Sequence, residues 1–382
     1  MSTDPRPPWW LDAVVYQIYP RSFQDSDGDG DGDLRGIAAR LDHVVALGAD
    51  AIWLSPFYPS PMADGGYDVA NYTGVDPRFG SLEDADALIA AAHERGLRVL
   101  LDVVPCHTSI EHPWFREHPE RYVWSDRDGP QNNWLAAFGG PAWSRDERSG
   151  RWYLHSFYPE QPDLNWRNED VRADMAAALG FWMHRGVDGF RLDAIDRLLK
   201  DRELRDDPPA TGPPPLPELG DGATLDMRHS RNAPGIGEAL AALRAGAGER
   251  ALLVGEVYLP AARLAPYLEH LDVAFAFELL HAAWDARAVA AAIEATQDPA
   301  GATRCAGTTR RRTAGSRAAT RGCRRSRSPA APSRRSKATR TRCLRCTPTS
   351  SRCVASSGRA SSSPTRPRTC SPSAAGAGTS SR

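Results

Sequence analysis

The sequence predicts an α/β fold: a (β/α)8 TIM barrel, incomplete at about six β/α units, with a subdomain inserted after the third strand and a disordered C-terminal tail. Three observations predict it. Short apolar runs alternate with helical stretches, and runs apolar throughout read as strands buried in a parallel sheet. Two runs end on an acid, Gly189 to Leu192 being followed by Asp193 and Ala251 to Gly255 by Glu256, and an earlier run, Val99 to Val104, carries Asp102 within it. In a β/α barrel the strand ends form one active-site face, so acids placed there converge.

The elements follow in order. Val14 to Ile18 reads as the first strand. Leu34 to Leu47 is a helical pattern with Ile37, Leu41, Val44 and Val45 on one face. Ala51 to Leu54 is the second strand, Leu82 to Arg95 a helix, and Leu97 to Val104 the third strand. Residues 105–166 are rich in Trp, Pro, Gly, Asn and Asp without long periodicity, as in an inserted subdomain. Asn168 caps a helix running to about Arg185. Gly189 to Asp193 is the fourth strand, Asp207 to Pro217 a proline-rich loop, Ala251 to Val257 the fifth strand and Val273 to Glu278 the sixth. Ala282 to Ala295 is the helix after it. A closed barrel needs eight such units.

Composition divides the 382 residues near Asp298. Residues 301–382 hold 20 Lys and Arg and no Asp or Glu; the remaining 27 basic residues face 48 acidic ones, so the first 300 residues carry a net charge of −21. Cys106 stands alone, whereas Cys305, Cys323, Cys343, Cys346, Cys353 and Cys370 lie in the last part. That part has no apolar periodicity and cannot offset its ordering entropy by burial. Its Arg-rich, Lys-poor composition reads as the product of a frameshift in a GC-rich gene. The rival reading, a basic tail binding RNA or another polyanion, lacks aromatic residues for stacking on bases. Cys343 and Cys346 form a lone Cys-x-x-Cys, without the second pair a zinc site uses. No apolar segment follows Met1 and no run approaches a membrane span, which predicts a cytoplasmic protein with no membrane partner.

Two acids on separate strands of one barrel suit glycoside hydrolysis, and the motifs around them carry a resemblance. Residues 10–298 resemble an α-glucosidase of the α-amylase superfamily, in its oligo-1,6-glucosidase-like branch. The motifs are Val15-Tyr16-Gln17-Ile18-Tyr19-Pro20-Arg21-Ser22-Phe23, Gly66-Tyr67-Asp68-Val69, Asp76-Pro77-Arg78-Phe79-Gly80, Asn132-Asn133-Trp134, Phe138-Gly139-Gly140-Pro141-Ala142-Trp143 and Gln161-Pro162-Asp163-Leu164-Asn165-Trp166, in this order. The resemblance divides the chain into a first barrel part (1–104), an inserted subdomain (105–166), a second barrel part (167–298) and the tail (299–382).

The resemblance implies a retaining α-glucosidase releasing glucose from short α-glucosides of maltose or isomaltose type. Asp193 would be the nucleophile and Glu256 the general acid and base, their carboxyls about 5–5.5 Å apart. Arg191, two residues before Asp193 on a strand, faces the same side and would hold it ionised. His107 and Asp64 would hydrogen-bond the terminal glucose and Tyr67 stack on it. Phe138 and Phe157 would line the pocket, with Gln161 near the scissile bond. Ala194, small beside the nucleophile, tilts the expectation toward maltose-type substrates.

Asp25, Asp27, Asp29, Asp31 and Asp33 alternate along one loop, a spacing of oxygen ligands that suits a hard cation. The resemblance implies a structural Ca²⁺ there, held by Asp25, Asp27, Asp29, Asp33 and the Asp31 carbonyl; no cofactor is expected for catalysis. Two departures stand out. Cys106 replaces the family's Asn before His107, and the family's Asn-His-Asp stretch after the seventh strand has no counterpart. The chain as written is therefore expected to be inactive, and its full-length ancestor a monomer. The alternatives are a transglycosylase or trehalose synthase-like isomerase, and a non-catalytic sugar-binding remnant.

Overall fold

A computed structural model describes residues 8–214, 216–217 and 223–296. The expectations for the tail (its disorder, frameshift origin, polyanion binding and the Cys343–Cys346 pair) lie outside the described residues.

The first half of the barrel contains β1 (Val15–Ile18), α1 (Pro20–Phe23), α2 (Leu34–Ala39), α3 (Leu41–Ala46), β2 (Ala51–Leu54), α4 (Leu82–Glu94) and β3 (Arg98–Val103). The inserted segment contributes α5 (Pro113–Glu117) and an antiparallel pair, β4 (Trp143–Arg145) and β5 (Trp152–Leu154). The second half contains α6 (Glu169–His184), β6 (Gly189–Leu192), α7 (Ile236–Ala247), β7 (Leu252–Gly255), α8 (Ala265–Leu268), β8 (Val273–Ala274), α9 (Phe277–His281) and α10 (Ala286–Thr296). The six barrel strands form one parallel sheet in the order β1-β2-β3-β6-β7-β8. This is the incomplete barrel that the apolar runs predict. Among the described residues, β1 and β8 each pair on one side only. No helix among them is long and apolar enough to cross a membrane.

Helices cover the outer face. Ser81 caps α4 in a reciprocal box with Asp84, and Asn168 caps α6 through the Asp170 N–H, as its sequence position predicts. Buried Leu88 and Ile89 of α4, Met175, Leu179 and Trp182 of α6, and Leu240 and Leu243 of α7 meet the strands in one core. On the inner face Trp9, Trp10, Trp53 and Val254 pack around Leu100, Leu252 and Val273.

Several boundaries are corrected. The helix expected over residues 34–47 is two helices, because i→i+3 bonds at Arg40 (Arg40 N–H to Ile37 O and His43 N–H to Arg40 O, both 3.0 Å) tighten the turn there. The break brings Leu34, Ile37, Leu41 and Val44 to the core and leaves Val45 41% exposed. The sixth strand stops at Ala274 rather than Glu278, since β7 is its one neighbour and pairing ends at Gly255–Ala274; the chain then winds into α9. The last helix begins at Ala286, not Ala282. The Asp285 carboxylate accepts from the Arg287 and Ala288 N–H groups (3.0 Å each) and sets the start. The helix α7 is missing from the sequence-based expectation, although Ile236, Ala239, Leu240, Leu243 and Ala247 give it a buried stripe.

The inserted segment leaves and rejoins the barrel at one place. His107 bridges Asp163, and Leu164 N–H donates to Cys106 O at 2.9 Å. Between these ends Trp134, Ala136, Ala142, Trp143 and Leu154 form a small core of their own. That core places Ala136, Ala137 and Phe138 over the C-terminal ends of the strands.

Candidate active site

Strand register builds the centre. Asp102 of β3 pairs with Arg191 of β6, which pairs with Val254 of β7; Leu192 and Gly255 form the next rung. Asp193 and Glu256 follow immediately, Asp193 N–H donating to Val103 O and Glu256 N–H to Leu192 O (2.9 Å each). Side chains alternate along a strand, so Arg191 and Asp193 share one face, and the register brings Asp102 and Glu256 to the same place. Gly189 permits this spacing: a Cβ there would collide with the Leu252 backbone.

One guanidinium joins the three acids. Arg191 donates to Asp102 Oδ1 (2.8 Å), to Asp193 Oδ1 (2.5 Å) and to Glu256 Oε2. Its plane lies 5.2 Å from the Trp53 ring and 5.8 Å from the Tyr67 ring. Asp102 also accepts from Tyr67 Oη (3.0 Å) and Trp53 Nε1 (3.1 Å). Three carboxylates against one cation in a buried site favour retention of a proton. Burial and then the Asp193 charge push Glu256 up to about 7, with Arg191 opposing. Burial likewise raises Asp193 and Asp102, and Arg191 pulls both back. Ala194 follows Asp193 in a left-handed conformation (φ 45°, ψ 41°) and points its N–H at Glu256 Oε2 (3.3 Å).

A cavity of about 460 Å³ opens above this centre. Asp64, Tyr67, His107, Phe138, Phe157, Asp193 and Glu256, all expected from the sequence, line it. Phe138 stands at the rim, and the Phe157 ring lies 5.1 Å from the His107 ring. Arg191 sits beneath the cavity floor rather than on its wall.

Gln161 is placed differently from expectation. It is fully buried and does not reach the cavity. Its Nε2 donates to Asp64 Oδ2 (2.9 Å) and lies 2.9 Å from His107 Nε2, while its Oε1 accepts from Tyr158 N–H (3.0 Å). All its polar groups are used, so it ties Asp64 to His107. Burial lowers His107 to about 4, so its ring is neutral at pH 7.

Cys106 is fully buried, its thiol pushed up by burial, with Sγ 3.6 Å from Arg197 O and 3.9 Å from Lys200 Nζ. Lys200 also pairs with buried Asp163 at 2.5 Å. The ammonium therefore fills the space between Cys106 and Asp163, and the thiol is a dry packing group.

The acidic loop separates into two sets. Oxygens of Asp25, Asp27 and Asp29 lie within 4.8 Å of one another. Asp33 instead caps α2, accepting from Gly36 N–H (2.6 Å), Ser26 N–H (2.8 Å) and Ser26 Oγ (2.9 Å), and the Asp31 carboxylate pairs with Arg21 at 3.0 Å. Three of the expected ligands converge as carboxylates, a donor set that fits a hard cation, and the Arg21 pair engages the Asp31 carboxylate rather than the carbonyl expected as a ligand.

Sequence reasoning noticed Asp102 but gave it no role. It missed Trp53, and on the cavity wall Asp196, Arg197, Arg231 and Tyr258. Asp102 is readable as an acid inside an otherwise apolar strand, β3, level with Arg191. The wall residues lie in turns after β6 and β7, where no periodicity marks them.

Comparisons with known proteins agree with this geometry. The family "Alpha amylase, catalytic domain" matches residues 17–305. A probable alpha-glucosidase of Rhizobium meliloti (strain 1021) is 57% identical over 216 residues, 54% of this chain and 39% of that protein. An oligo-1,6-glucosidase of Parageobacillus thermoglucosidasius is 47% identical over 214 residues, 53% of this chain and 38% of that one. The crystal structure of an alpha-glucosyl transfer enzyme superposes with a TM-score of 0.71 at 42% identity, covering 76% of this chain and 58% of that chain. The chain thus spans about two-fifths of the length of these two curated relatives.

Proposed function

The chain belongs to the α-amylase catalytic-domain family, and from that premise we propose that its centre is that of a retaining α-glucosidase acting on terminal bonds of short α-glucosides. Asp193 attacks the anomeric carbon. Glu256 protonates the leaving oxygen and then takes a proton from water, so that the glycosyl-Asp193 ester is hydrolysed with net retention. Arg191 holds Asp193 as the carboxylate, and Asp64, Tyr67 and His107 hold the glucose.

The observation that carries this reading is the single guanidinium bridging both carboxyls. Two carboxyls gathered on one guanidinium support the close retaining pair, about 5–5.5 Å apart, over the wider inverting pair, roughly 6.5–9.5 Å apart. The position of Glu256 near 7 suits a general acid at neutral pH.

Turnover by the 382-residue chain is expected to be very low. A second cavity, about 590 Å³ and lined by Trp53, Leu100, Leu252 and Val273, reaches Arg191 from inside the sheet, and we read it as a route for water to the carboxylates. The test is to follow glucose release from p-nitrophenyl α-glucoside by NMR, where the one glucose released reports the stereochemistry. Slow appearance of α-glucose first, abolished by Asp193→Ala, supports the reading. Initial β-glucose, or release indifferent to Asp193→Ala, contradicts it. A turnover of ~10 per second would refute the low-activity part alone.

A transglycosylase is the second reading, favoured by the likeness to the alpha-glucosyl transfer enzyme. New disaccharides formed in the presence of excess glucose would support it. The acidic loop is read as a structural calcium site at Asp25, Asp27 and Asp29. Added Ca²⁺ should raise the melting temperature of the native chain and not that of Asp27→Ala.

A further inference from the structure

The cavity contains a cation that the chemistry above does not use. Arg197 lies in the turn that leaves Asp193, its N–H donating to Ala194 O at 3.0 Å, so its backbone is fixed one turn from that carboxylate. The residue is 7% exposed and lines the cavity. Its guanidinium stacks over Phe157 at 5.3 Å, and Phe157 in turn meets His107, which puts Arg197 one ring away from the glucose-holding residues. Among the described residues this guanidinium makes neither an ion pair nor a hydrogen bond. The neighbouring Asp196 is directed elsewhere, 3.8 Å from Arg231. The Arg197 nitrogens are not sealed from the cavity's solvent, and a stacked guanidinium presents its donors in a fork that fits a carboxylate or a phosphate.

Resting on the α-glucosidase reading, in which the terminal glucose is unmodified, we infer that Arg197 receives an anionic group of the substrate, which must then be a phosphate or carboxylate on the aglycone. Charge-assisted bonds of this kind correspond to at least about a tenfold gain in affinity.

The test is calorimetric titration of the 382-residue chain with three ligands. These are maltose, maltobionate (glucose α-linked to gluconate, a carboxylate) and α-glucose 1-phosphate. At least one anion should bind about tenfold or more tightly than maltose, and which one does so separates carboxylate from phosphate. Arg197→Leu should remove the preference, Arg197→Lys should keep part of it, and added salt should shrink it in the native chain. Anions binding no better than maltose, or a preference that survives Arg197→Leu or is indifferent to salt, would overturn the inference while leaving the α-glucosidase reading intact. If none of the three ligands binds, both fall together.

Discussion

The centre of the sheet and its β8 edge are built from similar apolar runs and end very differently. At β3, β6 and β7 each strand has a neighbour on both sides, so register is fixed rung by rung and four ionisable side chains arrive at one point. At β8 two residues pair with β7, and the chain leaves the sheet for α9, with Leu280 72% and Trp284 100% exposed. Position along the strand delivers a functional side chain only where both neighbours hold the strand. The same apolar content at an edge yields exposed surface, an association hazard.

The largest expected effect comes from removing the cation at the centre. Arg191→Met leaves three buried acids uncompensated and should destabilise the chain by about 3–5 kcal/mol, read by urea unfolding. A loss below ~1 kcal/mol would mean that the carboxylates are already solvated and would weaken the contrast.

Next is Glu256→Gln. Below about pH 4.5 Glu256 is protonated in both folded and unfolded chains. As pH rises from there to about 7, the unfolded chain ionises while the folded one holds its proton, so the native chain loses stability across that window. The amide removes this loss. Well above the window Glu256→Gln should be more stable than the native chain by on the order of 2 kcal/mol, and not at its acid end. Activity, which needs the protonated acid, should fall through the same upper limit.

Two substitutions compare the regions directly. Gly189→Ala forces a methyl against the Leu252 backbone in the central rung and should cost ~1–3 kcal/mol. Trp284→Ser, at a fully exposed site beyond the edge, should change stability by less than ~0.5 kcal/mol while reducing self-association in light scattering. Equal costs at the two sites would break the comparison.

The centre was the most legible part of the sequence. An apolar run closing on an acid records two facts at once, a buried strand and a polar group at its end, and Asp193 and Glu256 carry that signal, while Asp102 interrupts its run from within. Edge behaviour is not written locally: Val273 to Glu278 looks like any other strand, and among the described residues it has β7 alone as a neighbour, with pairing that stops at Gly255–Ala274. The α7 stripe was overlooked behind the proline-rich loop, where Gly235 (φ 96°) starts the helix without a side-chain cap. Gln161 carries no mark distinguishing a residue that touches sugar from one that holds Asp64 and His107. Arg197 follows from a turn conformation and a ring contact, neither of which has a sequence pattern.

The central claim is that register places a nucleophile at Asp193. The most direct measurement is to expose the chain to an activated 5-fluoro-α-glucosyl fluoride, which traps slow glycosyl esters, and to locate the added mass by peptide mapping. A single adduct on Asp193, longer-lived in Glu256→Gln because the amide cannot take the proton from water, is the expected result. No adduct after prolonged exposure, or an adduct on any other residue, would contradict the account.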